Sequence, residues 1–62
     1  MAMTAKQLRT ALKRLGLNQL EAARRLGVTG RAVRFWVAGE RRIPEPVAIL
    51  IRTWVESATR HA

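Results

Sequence analysis

The sequence predicts a compact all-α domain of four short helices, or five, and three observations carry that prediction. Three helix-start signals are each answered by a glycine stop: Thr4 by Gly16, Asn18 by Gly27 and Thr29 by Gly39. No segment between turn signals alternates apolar and polar residues with period two, so no strand is expected. Hydrophobic residues make up 48% of the 62, enough for a small core and too many for a disordered basic tail.

The first helix should run from about Ala5 to Leu15. Thr4 and Gln7 have the spacing of a capping box, in which each side chain accepts from the other residue's backbone N–H. Leu8, Ala11, Leu12 and Leu15 then recur at helical spacing, with Lys13 and Arg14 in the last turn, where cations favour the dipole. Asn18 and Glu21 repeat the box for a second helix of barely two turns, with Ala22, Ala23 and Leu26 on its apolar face and Gly27 as its stop. Thr29 is placed to cap a third helix from Gly30 to Ala38, closed by Gly39. Glu40 to Ile43 reads as a polar, doubly basic loop. Pro44 and Pro46 suit the first turn of a fourth helix, about Glu45 to Ala58, where missing N–H donors cost nothing. At 100° per residue Leu50, Trp54, Val47, Ala58, Ile51, Val55 and Ala48 fill an arc of roughly 160°, wider than an ordinary apolar stripe, and Ile49 lies on its far side.

Twelve Lys and Arg against four Glu leave a net charge of +8, an excess that seeks polyanions. Cysteine is absent and the one histidine, His61, stands next to last, where a frayed end is expected. Disulfides, thiolate catalysis and a zinc site of the usual ligand count are therefore excluded. Ser57 has no histidine partner at plausible placement and the four glutamates form no obvious pair, so neither catalysis nor a cofactor is expected. The apolar run Val47 to Ile51 is far shorter than the roughly 20 residues that span a bilayer, and a leader peptide is not expected. The length fits one domain over residues 1–62, with a core over about 4–58, and a cytoplasmic location follows by default.

The informative stretch is Gln19 to Ala38, QLEAARRLGVTGRAVRFWVA. As a helix-turn-helix unit it has Ala23 at the fifth position, where a small side chain lets two helices cross closely. Gly27 sits at the ninth, in the turn, where a positive φ is easiest without a Cβ. Val33 and Trp36 at the fifteenth and eighteenth positions form the inner face of the second helix of the unit, with Leu20, Leu26 and Val28 closing the core. On the opposite face Arg31, Arg34, Phe35 and Ala38 fall at i, i+3, i+4 and i+7. Period alone does not rank the adjacent aromatics Phe35 and Trp36 over nine residues, so a core Phe35 stays open as an alternative.

Through this joint spacing, LNQLEAARRLGV, the glycine after the third helix and the basic loop with proline, the chain resembles the Cro/C1-type, or Xre-like, helix-turn-helix family over about residues 5 to 55. The resemblance implies a third helix that lies in the major groove of double-stranded DNA. It places Gly30 and Arg31 nearest the base edges and gives Gln19, at the start of helix 2, a phosphate-clamping role. Common members carry a polar side chain where Gly30 stands, so readout at that base pair departs from the family pattern. Arg31 and Arg34 can donate in bidentate fashion to guanine, and Phe35 can touch a thymine methyl. Thr29, Arg41 and Arg42 are the further phosphate candidates, helped by helix N-termini that favour anions.

A 62-residue fold has a slim margin of stability, and the over-wide arc of helix 4 suggests a homodimer through Ala48, Ile51 and Val55, with Ile49 beside them. The expected function is a sequence-specific transcription regulator, a repressor or autorepressor that occludes a promoter at a pseudo-palindromic operator, with no small-molecule ligand and no membrane partner. Proteins of this look occur in phages and mobile elements, and the compact length with the RAVRFWVAGE-to-PEPVAIL stretch bears a fainter likeness to anti-CRISPR-associated autoregulators. An antitoxin that grips a toxin through helix 4, and binds DNA for autoregulation, is the alternative. A cationic membrane-active peptide fits less well, because the arginines cluster around one helix and its loops rather than opposite an apolar face. A nonspecific nucleic-acid binder would differ in preferring no site.

Overall fold

The computed structural model describes residues 2–60 and contains four helices in succession: α1 (Ala5–Leu15), α2 (Gln19–Leu26), α3 (Gly30–Ala38) and α4 (Glu45–Arg60). The first three coincide with the sequence expectation, and the fourth runs two residues past Ala58. Among the described residues there is no strand and no fifth helix; His61 lies outside them.

The helix ends form as their residues dictate. Thr4 Oγ1 accepts from the Gln7 N–H at 3.1 Å while Gln7 Oε1 accepts from the Thr4 N–H at 2.9 Å. Asn18 and Glu21 reciprocate in the same way at 2.8 and 3.0 Å, and Thr29 Oγ1 accepts from the Ala32 N–H at 3.1 Å. Each cap satisfies a donor that has no intrahelical partner, which stabilises the helix by about 1 kcal/mol. Gly27 ends α2 at φ 73°, in the left-handed region, so that its own N–H turns back to the last carbonyls of α2 and the Val28 N–H reaches Ala23 O at 3.0 Å. A Cβ at Gly27 would meet nothing within 4 Å, so glycine is required there by the backbone and not by space.

That reversal sets α3 against α2, while α1 packs on both α3 and α4. The shared core takes Leu8, Ala11 and Leu12 from α1, Ala22 and Ala23 from α2, Val33 and Trp36 from α3, and Ala48 and Ile51 from α4, joined by Met3 and Ile43. Ala22 and Ala23 are 0% and 2% exposed, so the small side chains lie where the two helices cross. Trp36 is buried and Phe35 half-buried, which decides between the adjacent aromatics. Arg9 on α1 donates from Nη1 to the Val37 carbonyl at 2.7 Å and so ties the C-terminal end of α3 to α1.

Two expectations about apolar faces are corrected. Leu20 does not close the core with Leu26 and Val28; it is 54% exposed, whereas those two are half-buried against the core. Ala48 and Ile51, expected at a dimer surface, are 0% exposed inside the protomer's own core, and Val55 is half-buried against it. Leu50, at the opposite edge of the arc, is 39% exposed, and Ile49, on the far side of the helix, is 54% exposed. The cause is the segment that leads into the helix. Ile43, just before Pro44, is buried at 3%, and Ala48 occupies the first turn; these are the positions of a hydrophobic staple, which fixes the angle at which the chain enters a helix. With that angle set, the Ala48–Ile51–Val55 edge turns inward.

This orientation of α4 has a measurable signature. A chain of 62 residues has a total stability on the order of 3–9 kcal/mol. Urea denaturation should show Ile51→Ala losing about 2–5 kcal/mol and Ile49→Ala staying within about 0.5 kcal/mol of the parent. The reverse ranking would return Ile51 to the surface.

Candidate nucleic-acid interface

The nine residues of α3 divide cleanly by burial. Val33 at 0% and Trp36 at 7% exposure point into the core, whereas Arg31, Arg34 and Ala38 are exposed and Phe35 is half-buried between them and the interior. Because the anchoring side is so fully packed, the helix has one rotational setting, and the guanidinium side must face outward. A shallow concavity of about 520 Å³ lies on that side, lined by Arg31, Arg34, Phe35 and Glu40.

Phe35 organises the charges around it. The Arg31 guanidinium carbon stands 5.5 Å from the centroid of its ring and that of Arg41 stands 4.6 Å away. Both are within reach of the attraction between a cation and an aromatic quadrupole, worth about 0.5–1 kcal/mol at exposed sites. The loop is folded back to permit this: the Glu40 and Arg41 N–H groups both donate to the Phe35 carbonyl, at 2.9 and 3.4 Å. One residue from the helix and one from the loop are thereby gathered on a single ring. Arg42 is exposed beside Arg41 in the chain, so four guanidiniums and one carboxylate belong to α3 and its following loop.

The other expected contact residues lie at two helix starts. Gln19 is the first residue of α2 and exposed, and the first amides of that helix lack intrahelical partners. Thr29 is exposed at the start of α3; its oxygen is engaged as the cap, which leaves the hydroxyl proton to donate outward. Gly30 has no positive φ, and a Cβ built there would meet only Leu20 Cδ1, at 4.0 Å, an ordinary contact. The fold therefore does not require glycine at this position, and the absent side chain leaves room beside Arg31. Arg25 belongs elsewhere: its guanidinium lies over Trp54 of α4, 4.8 Å from the ring centroid.

A family model described as helix-turn-helix matches residues 8–52, from the first core leucine of α1 into α4. The chain belongs to the Cro/C1-type helix-turn-helix family. Among curated proteins and among solved structures nothing matches the chain. Cro/C1-type domains are DNA-binding, non-catalytic regulators, and the observed helix-turn-helix unit supplies the corresponding frame: α2, the Gly27 turn, and α3 with its cationic side exposed. No helix among the described residues is long and apolar enough to cross a membrane, and no group of three or more His, Asp or Glu there could hold a metal ion.

Two residues at this surface do not follow from the sequence expectations. Glu40, expected only in a polar loop, lines the concavity with Arg31 and Arg34. Leu20, expected in the core, stands at the surface. Its signal was present in the helical wheel, since Ala22, Leu26 and Ala23 centre the apolar face of α2 and Leu20 stands roughly 110° from that centre.

The pairing of Phe35 with Arg41 should appear as a coupling in stability. In a double-mutant cycle of Phe35→Leu and Arg41→Ala at low salt, denaturation should give an interaction of about 0.5–1 kcal/mol that shrinks as salt is added. Strict additivity of the two substitutions would remove the ring from any role in holding that cation.

Proposed function

We propose that this protein is a sequence-specific repressor that acts in the cytoplasm by lying across a promoter, with α3 in the major groove. The observation that carries the reading is the one-sided burial of α3, which leaves Arg31 and Arg34 exposed while Val33 and Trp36 are anchored. Arginine is suited to guanine because its fork matches the O6 and N7 acceptors, and each good bidentate pair contributes about 1–3 kcal/mol of discrimination. In this reading Gly30, Arg31, Arg34 and Phe35 face base edges. Gln19, Thr29, Arg41 and Arg42 hold phosphates on either side and set the register without reading sequence.

A repressor of this kind binds as a homodimer on a pseudo-palindromic site, with the two reading helices about one turn of DNA apart, roughly 34 Å. With Ala48 and Ile51 inside the protomer, the apolar surface that α4 offers a second copy is Ile49 and Leu50. The same two residues are what a toxin would grip if the chain served as an antitoxin.

Selection of bound sites from random duplex DNA tests the base readout. The parent should enrich one motif, and Arg31→Ala and Arg34→Ala should each lose preference at a particular base pair by about 1–3 kcal/mol. Uniform weakening would move that arginine to a phosphate, and unchanged binding in both variants would take α3 out of the groove.

The dimer is tested by salt and by mass. If it neutralises about 6–10 phosphates, affinity for the selected site should fall about 10³–10⁵-fold between 50 and 200 mM salt. Sedimentation should find two copies on the DNA, and Leu50→Glu should reduce this to one. A monomer on operator DNA with a shallow salt slope would overturn the dimer, and a stoichiometric complex with a different protein through Leu50 would favour the antitoxin reading.

A further inference from the structure

We propose that Leu20 is a base-reading residue that takes the 5-methyl group of a thymine; the inference rests on the reading above and adds a residue and a ligand to it. Leu20 is 54% exposed, which makes it one of three large apolar side chains so displayed among the described residues, and the other two, Ile49 and Leu50, are neighbours in sequence on α4. Leu20 is the second residue of α2, next to Gln19, and its Cδ1 lies 4.0 Å from the place a Cβ of Gly30 would occupy. Gly30 opens α3, one residue before Arg31, and falls roughly 40° from Arg34 around the helix. The leucine therefore borders the cationic side of the reading helix, in the space that the missing side chain of Gly30 leaves open.

The chemistry of the major groove names the occupant. Three of the four bases present only donors and acceptors there, and an isobutyl group pressed on those would strip water from polar atoms without replacing it. Thymine alone presents a methyl group, which gains by being covered. A second copy of the chain is a poor occupant of this spot, because Arg31 and Arg34 would be brought against the partner's own guanidiniums in a molecule of net charge +8. A polyanion has no such conflict.

The experiment uses the full chain and the duplex obtained by selection, with each thymine replaced in turn by uracil, which differs only by the methyl group. At one thymine the parent should lose about four-fold in affinity, the worth of one methyl returned to water, and Leu20→Ala should bind the thymine and uracil duplexes equally. At that position 5-methylcytosine should bind more tightly than cytosine to the parent and no more tightly to Leu20→Ala, which assigns the effect to the methyl and not to the pyrimidine ring. Leu20 is exposed, so the variant should keep the far-UV spectrum of the parent, and Leu20→Ile should keep the sensitivity to uracil. The inference is overturned if no thymine responds to loss of its methyl, or if the response persists in Leu20→Ala, which would assign the methyl to Phe35. A selection that yields no preferred motif brings down base reading by α3 as a whole, and a motif without methyl dependence brings down Leu20 alone.

Discussion

The burial of Val33 and Trp36 is the constraint on which the rest of the molecule depends. A helix of nine residues has about two and a half turns, too few for its own hydrogen bonds to hold it together in water. It exists because one side is packed against the alanines of α2 and against α1, and that packing also removes its freedom to roll. The orientation of the arginines is thus a by-product of where the tryptophan goes. Arg9 adds to this from outside, since its bond to the Val37 carbonyl holds the end of the helix that has no further turn to support it.

Stability and charge are kept apart in this arrangement. Among the described residues no polar or charged side chain is buried, and no buried side-chain nitrogen or oxygen lacks a partner. The ion pairs of Arg52 with Glu45 and of Arg60 with Glu56 lie on exposed parts of α4 and contribute little. Beyond their contacts with the Phe35 ring, the cations of α3 and its loop therefore add little to the fold. They repel one another in the free protein, and the aromatic ring of Phe35 offsets part of that by drawing two of them onto it.

Much of this was legible in the chain because local chemistry dictates it. Thr4, Asn18 and Thr29 can start helices on their own, and Gly27 can turn the chain without help, so the ends of the first three helices follow from residue type and spacing, as does the outward side of Arg31 and Arg34, while the choice of Trp36 over Phe35 for the core waits on packing. The rotation of α4 was not legible. Its apolar residues fill so wide an arc that the arc has no evident middle, and the choice between edges was made by Ile43, a residue outside the helix. Leu20 differs, because its exposure was legible: Ala22, Ala23 and Leu26 already centre the apolar face of α2, and a leucine well to one side of that centre has no place in the core. Glu40 entered the surface through the cap of α3: with Gly39 left-handed, the Glu40 N–H closes back on the Phe35 carbonyl, and although Gly39 announces that stop, it does not announce which loop side chain is brought beside Arg31 and Arg34.

The unfilled space at Gly30 bears on how such a protein changes over evolutionary time. Nothing in the interior leans on that position, and glycine is a poor helix former, so most replacements would leave folding intact or improve it. Any side chain placed there would project beside Arg31 and against Leu20, reshaping this surface with a single codon. The shape of this surface and the robustness of the structure can then drift independently, and a lineage carrying this scaffold can vary the exposed side of α3 without first passing through a weakened fold.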